Sequence, residues 1–228
     1  RMVTTIEDSS LLEAVVDNNV PTSERRSLQR SDWLRQALTV FVISGIDAIR
    51  ITRLAADLDV SRGSFYWHFE NREELIDAVV EFWKRKNTEA IRLAVRDASS
   101  LEKGIFYYFE IIVDENMFDP RLDLAVREWA RRSPKIRALV DSEDNQRIEA
   151  LRQFYLRFDY AMPEALIRAR VLYFSQIGFY ALSVQESLST RLTYTEAYFE
   201  CFTGRTLDAR ERVKFVDHIL STYGDAVP

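Results

Sequence analysis

Ser61-Arg62-Gly63-Ser64-Phe65-Tyr66-Trp67-His68-Phe69-Glu70-Asn71-Arg72, residues 61–72, decides how this chain is read. It follows Leu54-Ala55-Ala56-Asp57-Leu58-Asp59-Val60, and together the stretches read as two short helices joined by a tight turn at Asp59-Val60. Leu54, Ala55 and Leu58 share a face of the first helix, with Ala55 small enough for a close crossing. Ser61 stands where an N-cap belongs. The second helix then spans about 62–68, buries Phe65 and presents Arg62, Ser64, Tyr66, Trp67 and His68. Any helical hairpin can use this spacing. The exposed side gives the direction: such residues add little to folding, yet suit phosphates and base edges of a major groove.

Working outward, Leu34, Ala37, Leu38, Phe41 and Val42 recur at helical spacing, predicting a helix over 31–44. Ser31 or Asp32 is its expected cap, and Gly45 ends it in the left-handed region. Asn71, with Glu74 three residues on, opens a long helix to about Ser99 that bridges the head to the rest. Leu101–Asn116 follows as an aromatic-rich helix. Asp119-Pro120 and Ser133-Pro134 each place a capping side chain before a proline, predicting helices over 120–132 and 134–158. Pro163 opens one over 163–187. Thr193 and Glu196 suggest a capping box for 194–203, closed by Gly204, and Asp208 caps a last helix to Tyr223. No strand pattern competes. The expected fold is all-α, with nine to eleven helices. Residues 1–28 form an acidic arm, with a short helix possible at 10–16. Residues 29–75 form a helix-turn-helix head, and 76–228 a helical effector-binding and dimerisation domain.

The 228 residues are 47% hydrophobic, with 14 Phe, 10 Tyr and 4 Trp, enough for a substantial core, while only 6 Gly and 5 Pro favour long helices. No apolar run approaches the ~18–20 residues of a membrane span. The first 20 residues carry Glu7, Asp8, Glu13 and Asp17 where a secretory signal would be basic and then apolar. The single cysteine, Cys201, excludes an internal disulfide and suits a reducing bacterial cytoplasm. One Cys and two His make a dedicated metal site an unfavoured reading, and no cofactor motif is present. The net charge of −5 argues against a generally basic DNA-binding domain. Residues 22–86 hold 11 Lys/Arg against 10 Asp/Glu. Affinity for DNA then has to come from a local patch, for which Arg30, Arg50, Arg53, Arg62 and Arg72 are available. His68 lacks a nucleophile or carboxylate at motif spacing, so no catalytic residues are expected.

Residues 31–83 closely resemble TetR-family transcriptional regulators. The likeness rests on Gly45, Leu54-Ala55, Val60-Ser61-Arg62-Gly63, Phe65-Tyr66-Trp67-His68-Phe69 and Asn71-Arg72-Glu73-Glu74-Leu75. The family pattern is Ser-(Lys/Arg)-Gly-x-(Leu/Phe)-Tyr-x-His-Phe. The resemblance implies that Arg62 and Ser64 approach bases and that Tyr66, His68 and Arg72 hold phosphates. It further implies that Gly63 permits close approach and that Trp67 packs on sugar or a thymine methyl. Two positions depart from the pattern. Asp59 replaces a glycine, and Arg50 replaces the threonine that caps the second helix, offering a cation to the same phosphate.

Two later constellations gain meaning from the resemblance. Residues 171–182 are apolar nearly all round, which predicts burial either in one core or in a subunit interface. Family members dimerise through their late helices, and Val171, Phe174, Ile177, Gly178 and Ala181 are the expected contacts. Phe106, Tyr107, Phe109, Trp129, Phe154, Tyr155 and Tyr173 suit core packing, or the walls of the family's effector cavity. The composition favours a largely hydrophobic effector, aromatic or cationic, over a phosphorylated one. The resulting expectation is a homodimeric, non-enzymatic repressor, released from a palindromic double-stranded operator when an effector swings the 72–98 helix. The alternative is a helical small-molecule-binding or interaction protein without useful DNA affinity.

Overall fold

The computed structural model describes residues 28–224, and among them all regular structure is helical. The expected arm over 1–28 therefore lies outside the described residues, apart from Leu28. The chain divides into two compact units, Arg1–Phe82 and Trp83–Pro228.

In the first unit, α1 spans Arg30–Ser44, α2 Ile51–Asp57 and α3 Arg62–Phe65, and α4 starts at Arg72. The cap of α1 is Gln29, not Ser31 or Asp32. Asp32 is its partner in the box and accepts from the Gln29 N–H at 2.8 Å. Gly45 ends the helix at φ 80° and ψ 176°, more extreme than the left-handed conformation expected and open essentially to glycine alone. Its N–H still donates to Phe41 O, at 2.9 Å. Asp59 adopts the left-handed turn between α2 and α3 at φ 53°. A short polar side chain tolerates that region better than most. Asn71 caps α4 by accepting from the Glu74 N–H at 2.9 Å, while the Glu74 carboxylate reaches back to the Glu70 N–H at 2.7 Å. The core is aromatic: Trp33 meets Phe65 edge-on at 5.2 Å, and Phe65 stacks on Phe69 at 5.5 Å.

α4 runs over Arg72–Trp83 and passes without a break through a π-turn, Lys84–Thr88, into α5, Glu89–Arg96. The second unit continues with α6 Leu101–Val113, α7 Pro120–Ala130, α8 Pro134–Arg157 and α9 Glu164–Ala181. It closes with α10 Leu188–Thr193, α11 Thr195–Thr203 and α12 Ala209–Tyr223. Asp119, Ser133 and Asp208 cap α7, α8 and α12 through their side chains, and Gly204 closes α11 in the left-handed region at φ 67°. Thr193 caps nothing: its hydroxyl donates to Thr190 O at 2.6 Å, and α10 occupies the place of an expected loop, capped by Ser187.

A polar cluster sits inside this unit. Asp123 is buried and accepts from Trp83 Nε1 at 2.8 Å, Arg127 Nε at 2.8 Å and Arg147 Nη1 at 3.0 Å. Arg147 has no exposed surface; it also donates to Thr88 Oγ1 and to the Tyr173 hydroxyl, both at 3.0 Å. The π-turn supplies Thr88 and the buried Asn87, whose amide exchanges hydrogen bonds with the backbone of Asp119. Burial alone would raise the Asp123 pKa, but the two guanidiniums win and hold it below the usual carboxylate range.

Candidate nucleic-acid interface and ligand cavity

Helix α3 is one turn long and is fastened by a single side chain. Phe65 is fully buried between Trp33 and Phe69, and the other residues of the turn look outward. Trp67 is 87% exposed and Tyr66 50% exposed. An indole left in water is the kind of apolar surface that a partner covers. Ser61, Arg62 and Gly63 are exposed as well, and Ser64 and His68 partly so. The Ser61 side chain makes no capping bond, contrary to expectation, so its hydroxyl is not committed to the helix. A Cβ on Gly63 would meet only Ser61 Oγ, at 3.7 Å. Nothing within the fold requires glycine there, whereas close approach of a partner would.

The arginines divide into two kinds. Arg62 touches only the Tyr66 hydroxyl, at 3.4 Å. Arg50 and Arg53 are exposed with long, weak contacts: Arg50 to Asp47 O at 3.4 Å, and Arg53 to Ser44 Oγ at 3.4 Å and Asp57 at 3.9 Å. Arg72 is committed. Its Nε donates to Ile49 O at 2.6 Å and its Nη2 to Ile46 O at 2.9 Å, tying the 46–49 turn to the start of α4. Only Nη1 faces elsewhere, 3.9 Å from Glu73. Arg30 is likewise engaged, 4.2 Å over the Phe69 ring and 2.8 Å from Glu74. The weakly held cations of the patch are therefore Arg50, Arg53 and Arg62.

Within the second unit, α6, α9, α10, α11 and α12 surround a cavity of about 110 Å³. Of the aromatic residues picked from the sequence, Phe106 and Phe109 stand on its walls. Phe154 and Tyr155 pack elsewhere in the core, and Tyr173 bonds to Arg147 and Asp144. Tyr107 is largely exposed, and Trp129 lies on α7, away from the cavity walls. Phe179, Phe199 and Phe215 add to the apolar lining, with Tyr108, Gln176 and Arg191 among its polar groups. Sequence reasoning missed Arg191 because a lone arginine in a short helix carries no local signal.

Of the two forms of burial expected for α9, the structure does not show the first, complete burial within one core. The helix is not buried all round: Leu172, Tyr173 and Gln176 face the core, while Val171 and Phe174 are 45% and 56% exposed. Ile167, Val171, Phe174, Gly178 and Ala181 form a stripe at a,d spacing, and a Cβ on Gly178 would meet nothing within 4 Å. The glycine is not demanded by packing inside this chain.

Residues 34–79 match the family model described as bacterial regulatory proteins, tetR family. The amino-terminal residues of this chain are thus similar to the DNA-binding domain of that family. Over 54 residues it is 39% identical to the class C tetracycline repressor protein of Escherichia coli, covering 24% of this chain and 25% of that one. Over 92 residues it is 30% identical to the nucleoid occlusion factor SlmA of Edwardsiella ictaluri, 40% of this chain and 44% of that one. The chain thus spans from a quarter to less than half the length of these curated relatives. A solved TetR-family transcriptional regulator from Marinobacter aquaeolei VT8 superimposes with a TM-score of 0.57, covering 86% of this chain and 98% of that one. At 14% identity this is a likeness of fold alone. No helix among the described residues is long and apolar enough to cross a membrane.

Proposed function

We propose that this chain is a ligand-responsive transcriptional repressor. Two copies bind a palindromic double-stranded operator, and a small molecule held by the second unit releases them. The observation that carries the reading is the outward face of α3: Arg62, Tyr66 and a nearly naked Trp67 on a turn anchored by Phe65 alone. Arg62 and Ser64 read base edges, Gly63 allows the backbone to come close, and Trp67 packs on sugar or a thymine methyl. Ser61, Tyr66, His68, Arg50 and Arg53 position the helix on phosphates. Because DNA is the partner, the protein works in the bacterial cytoplasm.

Dimerisation follows from the head's size, since one short helix reads one half-site, and the apolar stripe of α9 is the surface that pairs. Release follows from linkage: the effector binds the DNA-incompetent state more tightly, and its differential affinity sets how far the equilibrium moves. The test is fluorescence anisotropy with a duplex selected by the protein from random sequences. Arg62→Ala should relax base preference, and Arg53→Ala should weaken all duplexes alike and flatten the salt dependence by about one phosphate contact. If both variants bind every duplex like the parent, α3 is not the reader.

A further inference from the structure

The walls of the cavity are not simply apolar. The Arg191 guanidinium lies between two phenyl rings, 4.7 Å from the centroid of Phe179 and 5.1 Å from that of Phe109. Among the described residues no carboxylate forms an ion pair with it. Glu186, also on the cavity wall, is close enough to act on its charge but is exposed and unpaired with it. Burial lowers the Arg191 pKa, yet an arginine remains cationic at neutral pH. A partly desolvated cation held only by ring faces still has its in-plane N–H donors to satisfy.

A second donor stands on the same walls. Gln176 is 3% exposed. Its Oε1 accepts a short bond from the Tyr108 hydroxyl, which fixes the orientation of the amide. Its Nε2 is buried and makes no hydrogen bond of ordinary geometry. The Tyr180 hydroxyl donates to Ile112 O at 3.2 Å, and its oxygen takes only a poorly aligned contact from the Gln176 amide, one that a ligand acceptor would displace. A buried donor without an acceptor costs free energy until something supplies one. Around these two donors the surface is aromatic and aliphatic, with Phe106, Phe199 and Phe215 prominent.

We propose that this cavity binds a small apolar carboxylic acid, its carboxylate received by Arg191 and Gln176 and its hydrocarbon body by the phenylalanines. The proposal deepens the regulator reading and rests on it for the word effector. A carboxylate is a planar, two-oxygen acceptor that matches a guanidinium fork and leaves an oxygen for the amide N–H. The positive charge and the buried amide donor on the walls disfavour the cationic ligand that composition alone suggested. The volume of about 110 Å³ suits a small ligand.

The experiment is calorimetric titration of the full chain, without DNA, with three compounds of one shape: 3-phenylpropionate, 3-phenylpropionamide and 3-phenylpropylamine. The acid should bind at least tenfold more tightly than the amide, about 1.4 kcal/mol, with the amine weakest. Arg191→Met should abolish the preference for the acid over the amide. Arg191→Lys, which keeps the charge and loses the fork, should retain part of it. Gln176→Leu should weaken the acid while leaving the circular dichroism unchanged. Equal binding of acid and amide, preference for the amine, or no binding of any of the three would overturn the proposal. Anisotropy on the selected duplex, run in parallel, separates the two readings. Acid binding without DNA binding would defeat the regulator reading and leave the cavity assignment standing, and DNA binding without acid binding would do the reverse.

Discussion

Arg72 lies where the family resemblance puts a phosphate ligand, and in the fold it does something else. Replacing it with alanine removes two charge-assisted hydrogen bonds, 2.6 Å to Ile49 O and 2.9 Å to Ile46 O. Bonds of this kind contribute about 1.5–3 kcal/mol each when buried. The side chain is 33% exposed, and water can partly replace it at both carbonyls, so the pair is worth about 2–3 kcal/mol together. For a unit of this size that is a drop on the order of 10–20 °C in the head's own melting transition. The two units need not melt together, so the head should be followed through Trp33 and Trp67 fluorescence or by hydrogen exchange at Leu54 and Ala55. At low temperature, where the head is still folded, Arg72→Ala should bind DNA with an unchanged salt slope. A stability loss under 0.5 kcal/mol, together with a slope flattened by about 0.9, would show that Arg72 is a phosphate ligand after all and refute the structural role.

In Gly104→Ala the new Cβ would lie 2.0 Å from Phe154 Cε2, and Phe154 is held by Tyr155 and Phe158. Overpacking of ~1–3 kcal/mol should outweigh the ~1 kcal/mol gained in helix propensity, lowering the urea midpoint. Asp123→Asn strips a fully buried Arg147 of its carboxylate and should cost about 3–5 kcal/mol by denaturant titration. Asp123's folded pKa is depressed, so its contribution is complete above its unfolded pKa of about 3.9 and vanishes as pH falls through the lower folded value. Below that point parent and variant should converge. Phe174→Glu, in the exposed stripe of α9, should give a monomer in sedimentation at micromolar concentration without changing the monomer's fold; an unchanged dimer would place the interface elsewhere.

What the sequence disclosed was what its residues do to their own neighbours in the chain. Asp119, Ser133 and Asp208 cap helices with their own side chains, and Gly204 closes one, because a cap is settled within three or four residues. The spacing of Phe65, Tyr66 and Trp67 likewise told which ring is buried and which are presented. Long-range partners were not legible. Arg72 reads as a surface cation until the carbonyls of Ile46 and Ile49, 23 to 26 residues earlier, are brought beside it. Residues 171–182 look uniformly apolar, and only the packing of α9 decides that Val171 and Phe174 stay outside. Arg191 and Gln176 escaped notice for the same reason: they are polar residues in stretches without a motif and come to one cavity only in the folded chain.

The proposed role of the outward face of α3, reading DNA for a symmetric pair of chains, can be tested on the intact protein. Its most direct measurement is selection of random-sequence duplexes by the intact protein, followed by hydroxyl-radical footprinting of the winner with the parent and with Trp67→Ala. Trp67 is almost fully exposed, so its removal should leave stability within about 0.5 kcal/mol of the parent. An inverted repeat should be enriched, its half-sites protected about one helical turn apart, with protection lost in Trp67→Ala. Selection that enriches no symmetric sequence, or a footprint identical in the parent and Trp67→Ala, would contradict it.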